Sequence, residues 1–155
     1  MTTRIDVATE CFRSGFNCAQ AVFSTYAPSV GIEEESALRI STGFGAGMGR
    51  LQEVCGAVTG AFLLIGAKHG MFDAADTTPK DTAYALEQEL ARQFTQLHGS
   101  ILCRDLLKCD LRTAEGKSEY EAKDLFNVVC VPCVRDACRI VEETILPNPA
   151  PAKQA

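Results

Sequence analysis

Along most of the chain apolar residues recur at three- and four-residue spacing, the period of a helix with one buried face. From Ile5 to Tyr26 the positions Ile5, Ala8, Cys11, Phe12, Phe16, Ala19, Val22, Phe23 and Tyr26 keep this rhythm. Gly15 interrupts it and marks a bend or a close packing contact, and Pro28 closes the segment. "GIEEES" opens a second helix running to about Thr42. A glycine-rich connector follows, then an apolar helix from about Val54 to Lys68, closed by Gly70. "DAADTTPKDTA" reads as a polar linker with Thr78 or Asp81 as a helix cap. The helix after it puts Tyr84, Leu86, Leu90, Phe94 and Leu97 on one broad face and ends at Gly99. Ser100 caps a shorter helix, "ILCRDLLKC", and "LRTAEGKSEYEAKD" reads as a loop plus a helix start. A last helix runs from about Cys130 to Leu146, and "FNVVCV" carries a weak strand signal. The pattern predicts an all-α, single-domain bundle of about five or six helices over residues 1–146. A frayed Pro/Ala tail is expected at 147–155.

Composition narrows the function classes. A chain of 155 residues with 46% hydrophobic content suits one ordinary core. A net charge of −5 and the lack of a basic stripe argue against nucleic acid as a partner. The longest apolar run, Val54 to Ala67, falls short of the ~20 residues a membrane span needs, so no membrane is expected. The N-terminus lacks the layout of a signal peptide, and a cytoplasmic location is expected. Eight cysteines are the outlier. In a reducing compartment such a set points to metal binding or redox chemistry more than to structural disulfides, although free cysteines also pack as small apolar residues.

The stretch "GFGAGMGRLQEVCGAVTG" concentrates glycine around Cys55. A dinucleotide fingerprint fails in both registers, because Met48 or Arg50 falls where the third glycine belongs, and no Gly-Lys-Ser/Thr follows to make a phosphate loop. Alternating glycines at 43, 45, 47 and 49 suggest left-handed backbone or a close neighbour. Gly56 and Gly60, with Ala57 and Ala61, make a thin helix face. Cys55 heads that helix, where free N–H groups and the dipole favour a thiolate, so a lowered Cys55 pKa is expected.

"CVPC" at Cys130–Cys133 is the one short cysteine pair, and Pro132 suits the first turn of the last helix. If one helix carries both, Cys11 and Cys18 lie roughly 10 Å apart along its axis, too far for a disulfide. A dithiol at Cys130 and Cys133 lacks the usual strand-to-helix context. Zinc lacks a second CxxC, and His69 and His98 stand apart in sequence. A c-type haem is ruled out, since Val134 follows Cys133. An iron–sulfur cluster accepts cysteines scattered over several helices. No Ser/His/Asp arrangement can be assembled, so the catalytic residues stay unknown.

"SGFNCAQAVF" at 14–23, "GFGAGMGRLQEVCGAVTGA" at 43–61, "CRDLL" at 103–107 and "CVPCVRDA" at 130–137 stand in the order seen in one family. The chain resembles the redox-active proteins named for their own signature, the C_GCAxxG_C_C family, from about Ile5 to Ile145. The family is similar to a domain of split-Soret cytochromes, which pair it with haem and an iron–sulfur centre. The resemblance implies Cys18, Cys55, Cys103 and Cys130 as signature thiols, with Gly43, Gly45, Gly49, Gly56 and Gly60 in the same cofactor-binding pattern. Cys11, Cys109, Cys133 and Cys138 look additional, with Cys133 able to replace or supplement Cys130. Ala46 and Lys108 occupy places where such sequences often carry glycine.

The expectation is an electron carrier binding a [2Fe–2S] or [4Fe–4S] cluster through those four thiolates and serving a redox partner protein. One alternative is a thiol–disulfide oxidoreductase using Cys130 and Cys133, or Cys55. The other is a helical interaction module with packing cysteines. A homodimer stays open.

Overall fold

The computed structural model describes residues 1–147; the tail expected at 147–155 therefore lies, beyond Pro147, outside the described residues. Eight right-handed α-helices form among the described residues. They are α1 (Arg4–Arg13), α2 (Cys18–Tyr26), α3 (Glu34–Ser41), α4 (Gly56–His69), α5 (Thr78–His98), α6 (Cys103–Leu107), α7 (Ala114–Ala122) and α8 (Val131–Ile140). Single π turns at Phe126–Cys130 and Val141–Ile145 extend α8 at both ends. The all-α class holds, with more helices than the periodicity counts.

The differences have physical causes. The periodic run from Ile5 to Tyr26 is two helices, because Asn17 caps α2 in a reciprocal capping box with Gln20. Cys11 and Cys18 thus sit on different helices, and Phe16, between them, is exposed. The weak strand at "FNVVCV" is instead the π turn leading into α8, so helix begins before Pro132. Tyr84 and Leu97 are exposed, which leaves Leu90 and Phe94 as the buried ridge of α5. The peptide N–H of Thr78 bonds to the Asp76 carboxylate, and neither Thr78 nor Asp81 is the cap residue, which is Thr77.

Helix α4 is apolar on all sides, which places it at the centre of the bundle. It packs most extensively on α2 and also on α5 and α8, while α1 covers α2 and α8. Gly60 lets the Ala19 backbone of α2 approach, since a Cβ there would stand 2.7 Å from the Ala19 carbonyl oxygen. Phe23, Tyr26, Leu64, Ile65, Leu90 and Phe94 fill the main core. A smaller cluster, Cys103, Leu107 and Leu125, seals α6 beside it. No helix among the described residues is long and apolar enough to cross a membrane.

Candidate functional site

Two backbone devices bring distant cysteines together. The first is an isolated antiparallel bridge between Val54 and Leu102. The Cys55 N–H donates to the Ile101 carbonyl at 2.7 Å, and the Cys103 N–H donates to the Glu53 carbonyl at 2.7 Å. These bonds place the first turns of α4 and α6 side by side. The second device is a left-handed turn. Ala46, Gly47, Met48, Gly49 and Arg50 all have φ between 53° and 68°. Side-chain-bearing residues avoid this conformation, which costs roughly 1–2 kcal/mol each. Gly47 is the residue the turn most requires, because a Cβ there would stand 2.8 Å from the Cys103 Cβ. Ala46 and Lys108 (φ 56°), where the family resemblance leads one to expect glycine, both adopt this glycine-like backbone.

Gln52, which sequence reasoning passed over, locks the turn. It is buried with φ 56°. Its Nε2 donates to the Cys109 carbonyl at 2.7 Å, and its Oε1 accepts from the Leu111 N–H at 2.8 Å. A lone glutamine after a glycine run gives no sequence signal of this role.

Between these elements lies a cavity of about 110 Å³ lined by Cys18, Cys55, Cys103, Cys130 and Cys133. The rest of its wall is nearly all apolar, with Asn17 and Tyr120 as the polar side chains. No charged side chain among the described residues lines it. Cys18 and Cys103 are the first residues of α2 and α6, Cys55 caps α4, and Cys130 ends the π turn before α8. Three helix N-termini therefore converge on the sulfurs. Ala46 and Ala19 direct N–H groups at Cys18, and Ala57 directs one at Cys55. Gly56 makes the close fit: a Cβ there would collide with the Cys18 sulfur.

The remaining positions lie elsewhere. Of the five glycines in the sequence pattern, only Gly56 lines the cavity. Gly45 packs under Asn17, Gly60 packs on α2, Gly49 belongs to the left-handed turn, and Gly43 faces open space. Cys11 lies against Ser24 at 3.9 Å, Cys109 packs beside α6, and Cys138 is buried beside Tyr26 in the main core. Cys133, the residue with an open role, joins Cys55 in lining the cavity. His98, isolated in sequence, lies beside it.

The thiols are held neutral. Cys55 is pushed well up by its hydrogen bond with Cys133 and by burial, against the pull of Cys18 and the Ala57 amide. This corrects the expectation of a lowered Cys55 pKa: one helix terminus does not offset a desolvated site crowded with sulfur. Cys18 is raised well above the usual range by its hydrogen bond with Cys55 and by burial. Burial, followed by the Cys18 and Cys130 sulfurs, pushes Cys103 up to about 12. Burial also raises Cys130 to about 11, opposed by the Tyr120 hydroxyl, which donates to its sulfur at 3.6 Å. All eight cysteines are free thiols. Among the described residues no group of three or more Cys, His, Asp or Glu side chains is arranged to hold a metal ion.

Neither the curated proteins nor the solved structures contain a significant match to this chain. The sequence model of one family, described as "Putative redox-active protein (C_GCAxxG_C_C)", matches residues 16–144. With its signature cysteines gathered around one cavity and most of its length matched, the chain belongs to the C_GCAxxG_C_C family.

Proposed function

We propose that the protein is an electron carrier that binds an iron–sulfur cluster in this cavity through Cys18, Cys55, Cys103 and Cys130. The observation that carries the reading is the convergence of thiols from separate elements on one otherwise apolar cavity. The donor set is all sulfur, as in the four-cysteine iron–sulfur centres. A single zinc ion would need four ligands about 2.3 Å from one point, and the thiols offer no such grouping. A cluster spreads its ligands around a larger core, which suits sulfurs distributed over a cavity wall. Gly56 leaves room at the Cys18 sulfur, and helix N-termini with the Ala46, Ala19 and Ala57 amides supply partial positive charge where no charged side chain lines the wall.

When bound, the cluster would supply one-electron transfer to a redox partner protein. The chain's own part is to bind and to exclude water. The thiols are neutral when free, so ligation releases their protons and tightens as pH rises. Leu106, Leu107, Leu111 and Val129 keep the site apolar. A cytoplasmic setting, where thiols stay reduced, suits eight free cysteines. Anaerobic reconstitution with iron and sulfide, read by iron content and paramagnetic resonance, tests the proposal. Stoichiometric iron supports it, and its absence from correctly folded protein overturns it.

A second reading, thiol–disulfide exchange, is favoured by one observation: Cys18, Cys55 and Cys133 line one cavity, and Cys55 is influenced by both of the others. Reversible loss of two titratable thiols on mild oxidation of the cluster-free protein supports this reading.

A further inference from the structure

The cavity holds one thiol beyond the four assigned to the cluster, and that thiol has a histidine beside it. Cys133 is 1% exposed and lines the same cavity as Cys55. On its other side the Cys133 Sγ lies 3.8 Å from Nδ1 of His98, the last residue of α5. The second ring nitrogen, Nε2, stands 3.0 Å from Oδ2 of Asp136. That nitrogen has no aligned hydrogen-bond partner among the described residues. Cys133 and Asp136 are three apart on α8, so one helical turn grips the imidazole at both nitrogens. Phe94, one turn earlier on α5, packs against the ring in a tilted arrangement, 33° between planes and 4.6 Å between centroids. Asp136 is braced in turn by Arg139 at 2.7 Å. His98 and Asp136 are largely buried, with side chains 13% and 18% exposed.

A carboxylate beside one ring nitrogen favours the proton there and leaves the lone pair of the other facing the thiol. A nucleophile, a base and a group that orients the base make the arrangement that activates thiols for attack. We infer that Cys133 is a nucleophilic thiol with His98 as its base and Asp136 as the positioning residue, and that it starts disulfide exchange in which Cys55 is the resolving thiol. The inference rests on the cavity being the redox site and concerns the protein without a cluster.

The oxidant is a small disulfide, RS–SR, which reaches the cavity beside the half-buried Leu106, Leu111 and Cys130. The Cys133 proton passes to His98 Nδ1, and the thiolate attacks one sulfur of RS–SR. The S–S bond of the reagent breaks, a Cys133–SR bond forms, and the leaving thiolate takes the proton from His98 as RSH. The Cys55 sulfur then attacks the Cys133 sulfur, and the second RS⁻ leaves with the Cys55 proton. The two cysteines lose two electrons as their disulfide forms, and RS–SR is reduced to two RSH.

The test uses the full chain, purified without cluster, treated with 2-hydroxyethyl disulfide and mapped by peptide mass spectrometry. The wild type should give a Cys55–Cys133 link, and Cys55→Ser should accumulate the reagent adduct on Cys133. In the Cys55→Ser background, His98→Gln should slow adduct formation by about 100-fold at neutral pH, with the melting temperature unchanged. Asp136→Asn should slow it as well, and Asp136→Glu should restore part of the rate, a rescue that a packing role would not show. Should His98→Gln fail to fold, the Asp136 pair, nearer the surface, carries the test. Adduct on another cysteine, no reaction, or unchanged rates in these variants overturns the inference. Iron reconstitution of the wild type, run in parallel, reports on the cluster separately, so its failure leaves the exchange result standing.

Discussion

The eight cysteines fall into two groups whose surroundings differ more than their burial does. Cys18, Cys55, Cys103, Cys130 and Cys133 line one cavity, while Cys11, Cys109 and Cys138 each pack apart. Cys138 is fully buried beside Tyr26, whose hydroxyl donates to Glu142 at 2.8 Å. Cys55, also buried, meets two further sulfurs and a helix-terminal amide. Burial alone therefore does not mark a working thiol. What separates the groups is other sulfurs, backbone N–H groups aimed at them, and empty space in front.

The largest expected effect that would break this comparison lies at the glycines. Gly56→Val should destabilise the protein by about 3 kcal/mol in chemical denaturation and remove iron binding, because the new side chain collides with Cys18. Gly43→Ala, in open space, should change stability by less than about 0.5 kcal/mol. Equal effects would show that the cavity wall is not special.

Next comes Gln52→Ala. Losing its bonds to the Cys109 carbonyl and the Leu111 N–H should cost about 2 kcal/mol and reduce iron retention. Cys138→Ala should cost about 1 kcal/mol and leave iron binding intact. The contrast in retention, more than in stability, is the informative part.

A pH experiment sharpens the comparison by showing where the groups agree. Cys103 and Cys138 are each pushed up from 9.0 to about 12 by burial. The unfolded chain ionises near 9 while the folded thiols stay neutral, so stability holds below pH 9 and is lost as pH rises towards 12. The melting temperature of reduced, cluster-free protein should fall across that window. Cys103→Ala or Cys138→Ala should each flatten the fall. Only with iron bound should the Cys103 share of the effect vanish.

The smallest effect is a gain. Lys108 ends α6 in a left-handed conformation at an exposed position. Lys108→Gly should raise stability by about 1 kcal/mol, because glycine adopts that backbone without a Cβ clash. A loss would show that the lysine side chain itself supports α6.

Much of this was legible in the sequence. The helical period carried the α class, since α2, α5 and α8 bury regular apolar ridges. The resemblance drew attention to Cys18, Cys55, Cys103 and Cys130, and the structure brings them to one cavity. Three things stayed hidden because they depend on contacts between distant segments. The Val54–Leu102 bridge is too short to show alternation. The left-handed turn uses Ala46, Met48 and Arg50 at φ values that their residue types disfavour, so only the surrounding fold can hold them there. His98 looked solitary because its partners lie 35 and 38 residues further along the chain, on α8. The pKa of Cys55 was misjudged for the same reason: its helix terminus is local and visible, and the crowd of sulfurs around it is not.

The central claim is that the sulfur-lined cavity holds a redox cluster, and iron measurement after anaerobic reconstitution tests it most directly. The account predicts stoichiometric iron and sulfide in the wild type, with a paramagnetic signal on reduction or oxidation. It predicts retention in Cys138→Ala and loss in Cys103→Ala. Folded wild-type protein that takes up no iron, or a Cys103→Ala variant that holds as much as Cys138→Ala, would contradict it.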